Sequence, residues 1–251
     1  MAKAVQNLES QVPAELLNEM AADSGHGQEG ITGQDLAIPF LKILQQMSPE
    51  LAKRDGKFID GAEEGMIMNT VTGKLWKADE GVTVIPCGFK FKIIEWKPER
   101  GGLVQQYSRT DTLPAFDRNE KGQAITPEGN ILSDTAEHYV LVVHSNGDGT
   151  AEQALISMSS TQLKHSRKWN TMIKQKIIQT KDGPKSPPSY GFMYNLQTTG
   201  ESKDDNHWEG WAISDAGMVT DSDLYQGAKA FASSINQNEV LVKHTPAEEV
   251  M

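Results

Sequence analysis

From Gly81 to Trp96 the chain reads as a strand. Val82, Val84 and Ile85 precede Pro86, and then Phe89, Phe91 and Ile93 alternate with Lys90 and Lys92. That period of two assigns the three apolar residues to a core. It turns Lys90 and Lys92 to the other face, which Trp96, an even number of residues on, shares. Residues 137–145 (EHYVLVVHS) and 153–158 are apolar runs joined by Asn146-Gly147-Asp148-Gly149-Thr150. Asn-Gly and Asp-Gly accept the positive φ of a tight turn, so these runs form a β-hairpin. Residues 190–199 (YGFMYNLQTT) and 207–213 (HWEGWAI) read as a second hairpin around an acidic loop.

Helical spacing appears in three places. Phe40, Leu41, Ile43, Leu44 and Met47 follow a capping signal at Thr32 and Asp35, with Pro39 in the first turn or ending it. Ser48-Pro49 closes this element, and Met66-Ile67-Met68 is a short strand ended by a turn at Thr72-Gly73. Ser160 or Thr161 caps a helix running to Ile178, with Leu163, Trp169, Ile173 and Ile177 as its apolar positions. Gly183-Pro184 and Pro187-Pro188 break it. A last helix spans 221–236, capped by Asp221 or Ser222, with Leu224, Ala228 and Phe231 facing the core.

The stretch 98–135, rich in Gly, Pro, Asp, Asn and Gln, is assigned no fixed structure. Residues 1–30 read as an acidic flexible arm, 31–238 as a single domain and 239–251 as a tail. A lead helix, strands, hairpin, helix, hairpin and helix make an α+β fold, mostly antiparallel β. The strand count fits an OB-like partly closed barrel, the oligonucleotide-binding architecture, with flanking helices.

Composition adds a compartment and a charge. The first thirty residues hold no basic start with an apolar run, as a signal peptide or membrane anchor would. The single cysteine, Cys87, cannot form an intramolecular disulfide and fits a reducing, cytoplasmic setting. A net charge of −10 argues against a nucleic-acid partner until its distribution is considered. Residues 1–30 carry one lysine against five carboxylates, and 201–251 three against ten. Between them, Lys164, Arg167, Lys168, Lys174, Lys176, Lys181 and Lys185 face only Asp182.

Catalytic patterns are absent. There is no phosphate-cradling Gly loop and no Gly-x-Ser-x-Gly elbow, and His26, His138, His144, His165, His207 and His244 are scattered. Cys87 follows Pro86 inside a strand, a place for a small hydrophobe. No cofactor and no metal are expected, and the reading is of a non-catalytic protein. A metal-dependent nuclease would have to gather carboxylates distant in sequence, such as Asp117, Asp134 and Glu137.

Binding single-stranded nucleic acid without reading sequence needs cations along the backbone and aromatic faces for the bases. Two segments offer both. In one, Trp169 lies among Lys164, Arg167, Lys168, Lys174 and Lys176. In the other, Lys90, Lys92, Trp96 and Lys97 share a strand and its end. Tyr190 and Tyr194, sharing a face, are further stacking candidates, while Trp208 and Trp211 lie on opposite faces. The competing account makes Trp169 the core anchor of an amphipathic helix with solvated lysines, which for a lone basic helix is the commoner arrangement.

The runs DLAIPFLKILQQMSPEL, GMIMNTVTG, VIPCGFKFKIIEWKPERGG, ISMSSTQLKHSRKWNTMI, YNLQTT and HWEGW together resemble a group of bacteriophage proteins associated with DNA replication and described as single-stranded DNA-binding. The resemblance covers Ile31 to Ile235. It implies an oligonucleotide-binding barrel, single-stranded DNA as partner, the host cytoplasm, and an acidic C-terminal region that contacts replication proteins; here the final HTPAEEVM is short. It carries over no fixed residue motif, so the site list above rests on charge and aromatic placement. The expected site is a cleft between the Lys90 to Lys97 strand and the Lys164 to Lys176 helix. The rival class is a phage structural or assembly protein using the basic helix for protein contacts. The sequence leaves room for oligomerisation.

Overall fold

The computed structural model describes residues 12–30, 37–98, 101–120, 122–144 and 151–237. It divides into two compact units, the first ending at Leu36 and the second beginning at Ala37. In the first, α1 (Ala14–Ala22) follows Pro13 and buries none of its residues.

The second unit holds β1 (Leu41–Ile43), β2 (Ile67–Asn69), β3 (Leu75–Trp76), β4 (Val82–Trp96), β5 (Leu103–Ser108), β6 (Asp117–Arg118), β7 (Ala124–Ile125), β8 (Ile131–Val143) and β9 (Ala151–Ser159). Then come α2 (Leu163–Lys174), β10 (Ile178–Thr180), β11 (Gly183–Lys185), β12 (Phe192–Lys203), β13 (Asn206–Met218) and α3 (Ser222–Asn236). Every ladder of these sheets is antiparallel. The main sheet runs β13-β12-β4-β8-β7-β6, with β5 beside β4 and β9 beside β8. It curls strongly into a half barrel. The fold is therefore the expected mostly antiparallel α+β class, a partly closed barrel with flanking helices.

Both faces of the sheet are packed, which is why β8 is a continuous apolar and aromatic run rather than an alternating one. The inner face buries Val82, Val84, Val140, Ile156, Tyr194, Leu196 and Trp211 against Leu41 and Ile67 of the small β1-β2-β3 sheet and Trp169 of α2. The outer face buries Ile85, Cys87, Tyr139 and Leu155 under Leu224, Ala228, Phe231 and Ile235 of α3. Gly88 permits that approach, since a Cβ there would lie 3.0 Å from Ile235 Cγ2. Asp221 caps α3 as expected, its Oδ1 accepting from the N–H groups of Asp223 and Leu224.

Two glutamine side chains span the open side of the curl. Gln45 Oε1 accepts from Glu209 N–H at 2.8 Å, and Gln45 Nε2 donates to Glu209 O at 2.9 Å. Gln162 Nε2 donates to the same carbonyl at 3.1 Å, and Gln162 Oε1 accepts from Trp211 N–H. These amides act as a short substitute strand for the edge of β13. On the other edge, Leu155 N–H donates to Pro39 O, beside a parallel bridge between Phe40 and Leu155.

Three expectations need correction. Residues 41–43 form a strand, not a helix. Phe40, Leu41, Ile43 and Leu44 are all buried because this segment packs on both sides, which imitates a helical spacing. The proposed caps at Thr32 and Asp35 lie outside the described residues. The stretch 98–135 holds β5, β6, β7 and the start of β8. Finally, α2 is preceded by a 3-10 turn with Ser160 at φ 48°, has no side-chain cap, and ends at Lys174. Ile177 is left exposed, and Ile178 enters a small hairpin instead. The β8–β9 hairpin, the β12–β13 hairpin and α3 stand where the sequence puts them, although the turn at 145–150 lies outside the described residues.

Truncating Gln45 strands the N–H of Glu209 at a half-buried edge and leaves its C=O to Gln162 alone. Gln45→Ala is expected to lower unfolding free energy by about 2 kcal/mol, read from urea denaturation. Gln46→Ala, at an exposed neighbour, should leave the midpoint in place.

Candidate nucleic-acid interface

Strand β4 pairs with β8 through Pro86↔Val140 and then Gly88↔Tyr139, so one extra residue, Cys87, sits in β4 as a β-bulge. The bulge inverts the alternation. Even residues Val82 and Val84 face inward before it, and odd residues Phe89 and Phe91 face inward after it. Lys90 and Lys92 consequently point outward. The Lys90 ammonium lies 5.7 Å from the Tyr139 ring centroid, and Lys92 Nζ is 3.0 Å from Oε1 of the buried Glu137, whose Oε2 accepts from Tyr139 Oη. Burial, and then the charge of Lys92, hold Lys90 below the usual lysine range. Burial likewise pushes the Tyr139 phenol upward.

The predicted cleft is thus not assembled, because Lys90 and Lys92 are on the opposite side of the sheet from α2. Trp96 shares their face, as expected, but is buried, and Lys97 is exposed just past the strand end.

On the inner face, α2 is fixed by aromatic packing. The His138 ring stacks on Trp169 with centroids 4.6 Å apart, and Trp169 meets the Tyr194 ring edge-on at 5.8 Å. His138 Nε2 pairs with Ser166 Oγ at 2.8 Å. Trp169 and Tyr194 have no exposed surface, so neither offers a base-stacking face. Ser166, Trp169 and Ile173 make the buried stripe of a regular helix, and Trp169 is its anchor. Tyr190 packs against Tyr225 at 5.4 Å on the outer side. The 3-10 turn at 189–191 and a register shift at Met193/Tyr194 separate it from the face of Tyr194. Trp211 is buried and Trp208 half-buried, in line with their opposite faces.

The cations of α2 divide. Lys164 Nζ lies 2.9 Å from Glu201 Oε1, and Lys176 pairs with Asp215 while lying over the Phe192 ring. Arg167, Lys168 and Lys174 are exposed and, among the described residues, make no ion pair.

Of the three β4 residues that alternation assigns to the core, Phe91 and Ile93 are half-buried and Phe89 is exposed. Phe89 is 43% exposed. Its ring lies 5.0 Å from His138, one layer from α2. Phe91 is half-buried beneath the guanidinium of Arg109, 3.6 Å from its ring centroid. Tyr107, from the neighbouring β5, faces the same side as Ile93, and its Oη donates to Glu95 Oε2 at 2.6 Å. Phe89, Phe91, Tyr107 and Arg109 therefore line the inner face where β4 and β5 run past the packed core. Charge counting could not find Arg109, inside a stretch read as irregular, and alternation alone hid Phe89.

Asp117, Asp134 and Glu137 are not gathered, and no cluster of three or more metal-ligating side chains forms among the described residues.

A family profile described as Pam3 phage gp34-like protein matches residues 6–241. The chain belongs to that family. It is a bacteriophage protein by this membership, which agrees with the phage side of the resemblance drawn from its motifs. No curated protein and no solved structure matches it. Among the described residues of this gp34-like protein, no helix is long and apolar enough to cross a membrane.

Two measurements check the roles given to the buried residues. Trp169→Ala should cost about 3–5 kcal/mol of stability, whereas Lys168→Ala should stay within about 0.5 kcal/mol, both by denaturant titration. Burial lowers His138 to about 3. The unfolded chain therefore takes up a proton below about pH 6.5 that the folded protein refuses, and stability is lost as pH falls through that window. Between pH 7 and 5 this one group removes about 2 kcal/mol. His138→Gln should lose correspondingly less over the same interval.

Proposed function

We propose that this phage protein is a non-catalytic single-stranded DNA-binding protein that supports replication or recombination, and that it binds on the inner face of β4 and β5. The observation that carries this reading is the exposure of Phe89 beside the Phe91–Arg109 stack on a curled antiparallel sheet. An unpaired base can stack on Phe89, and another on the outward side of the Arg109 guanidinium, which the Phe91 ring already orients. Paired bases are stacked on their own neighbours and cannot use these faces, so the arrangement favours single strands.

Arg167, Lys168 and Lys174 supply positive charge on α2, which sits across His138 from Phe89. They engage phosphates without reading sequence. Affinity accordingly falls with salt, as neutralised phosphates release counterions. A contact with phage replication proteins through the acidic C-terminal region belongs to the same proposal.

A structural or assembly role is favoured by a different observation. Leu103 and Val104 are exposed on β5, a strand that among the described residues pairs only with β4 and carries no charged residue. That role predicts discrete oligomers in light scattering and no salt-dependent DNA binding.

Fluorescence anisotropy with labelled oligo(dT) over a salt series separates the two. The binding reading expects salt-dependent association that Phe89→Ala weakens by about 1–3 kcal/mol and that Lys92→Ala leaves little changed. No association with any single strand at low salt rejects it.

A further inference from the structure

The hairpin β12–β13 lies along α2 and places one carboxylate near each end of the helix. At the N-terminal end, Glu201 Oε1 meets Lys164 Nζ and His165 Nε2, each at 2.9 Å, while Glu201 Oε2 accepts from Trp208 Nε1 at 2.8 Å. The carboxylate is seated by the backbone as well. A Cβ at Gly210 would come within 2.8 Å of Glu201 Cδ, so the carboxylate lies directly over that glycine. Just past the C-terminal end, Asp215 pairs with Lys176 and its Oδ1 accepts from Gly217 N–H. Burial raises the Glu201 carboxyl, but its bonds from Lys164 and Trp208 outweigh that and hold it below the usual range. Asp215 is held low chiefly by Lys176.

We infer that Glu201 and Asp215 are intramolecular competitors for phosphate. Each occupies one cation in the free protein, Lys164 on α2 or Lys176 just past its end, and strand binding exchanges the carboxylate for a phosphate. This rests on the single-strand-binding reading above.

The geometry suits an exchange. In each pair one partner reaches solvent, Lys164 at 56% and Asp215 at 46% exposure against 15% for Glu201 and 21% for Lys176, so each pair is open on one side and partly screened by salt. A polyanion bringing several phosphates can displace them, whereas a single small anion gains too little. The free protein then presents Arg167, Lys168 and Lys174 alone, which limits adventitious binding, and the bound protein adds Lys164 and Lys176. His165, with Lys164 and Lys168 nearby, shares the Glu201 end and joins that exchange.

The test is oligo(dT) binding by anisotropy across a salt series, using the full chain with Glu201→Gln and, separately, Asp215→Asn. Asp60→Asn, an exposed position away from α2, matches the change in net charge. Because Lys164 and Lys176 meet phosphate in the bound wild type too, freeing one cation in advance leaves the number of neutralised phosphates, and so the slope of log K against log salt, unchanged. It should tighten binding by up to about fivefold near 50 mM salt, the weak ion pair no longer having to be broken, with Asp60→Asn leaving affinity near the wild-type value. Either folded variant suffices, and thermal melting shows which is folded. Wild-type affinity in a folded variant of a protein that does bind DNA overturns the exchange, as does an equal effect of Asp60→Asn, and so does a slope steeper by about 0.7, which would mean that the cation meets phosphate only once its carboxylate is removed. Binding by none of the forms overturns the single-strand reading, and the exchange with it.

Discussion

The extra residue at Cys87 decides which side chains of β4 reach which side of the sheet, and the rest of the surface follows from it. Without the bulge, the even positions that bury Val82 and Val84 would continue through Lys90 and Lys92, driving two lysines toward Trp169. With it, the lysines turn outward to Glu137 and Tyr139, and Phe89 and Phe91 take the inner face. The bulge carries its own support. Cys87 is buried, its thiol donates to Ile85 O, and burial holds that thiol at about 12, which keeps it protonated and unreactive. Gly88, the next residue, lets α3 close over the kink.

Helix α2 depends on that inner face. Its docking is aromatic rather than electrostatic, because His138, Trp169 and Tyr194 stack while the cations point to solvent or to the β12–β13 carboxylates. The division of labour is physical. Burying an indole is worth several kcal/mol, whereas a solvent-exposed ion pair is worth at most about 1 kcal/mol. The helix can therefore exchange its charged partners without leaving its seat. A buried anchor beneath a labile charged surface is what a ligand-exchange site needs.

Much of this fold was legible in sequence, and the failures share a cause. Both hairpins, α3 with its Asp221 cap and the long β4 followed from local turn and periodicity signals. The site was less legible. Periodicity reports that residues alternate, but a one-residue insertion reverses which set is inside, and Pro86 and Gly88 beside Cys87 mark an irregular strand without saying which set turns inward. Alternation places Phe89 in the core, and the basic helix leaves Trp169 open between a core anchor and a stacking face, because each element is treated alone. The fold leaves Phe89 exposed and buries Trp169 against His138 and Tyr194. Arg109 and Tyr107 were missed because strand β5, LVQQYS, has turn-rich flanks and too short an apolar run to stand out. The cation count survived only in part, since the carboxylates that neutralise Lys164 and Lys176 come from forty residues away in a segment counted as acidic surface.

The proposed single-strand site is on the inner face of β4 and β5, across from α2, and not along the Lys90–Lys92 side. Photocrosslinking with a bromouracil-substituted oligonucleotide, followed by peptide mapping, reads that position directly. Adducts at Phe89, Phe91 or Tyr107 are the predicted result. Adducts confined to Tyr190, Tyr225 or the Lys90–Lys92 side would contradict it.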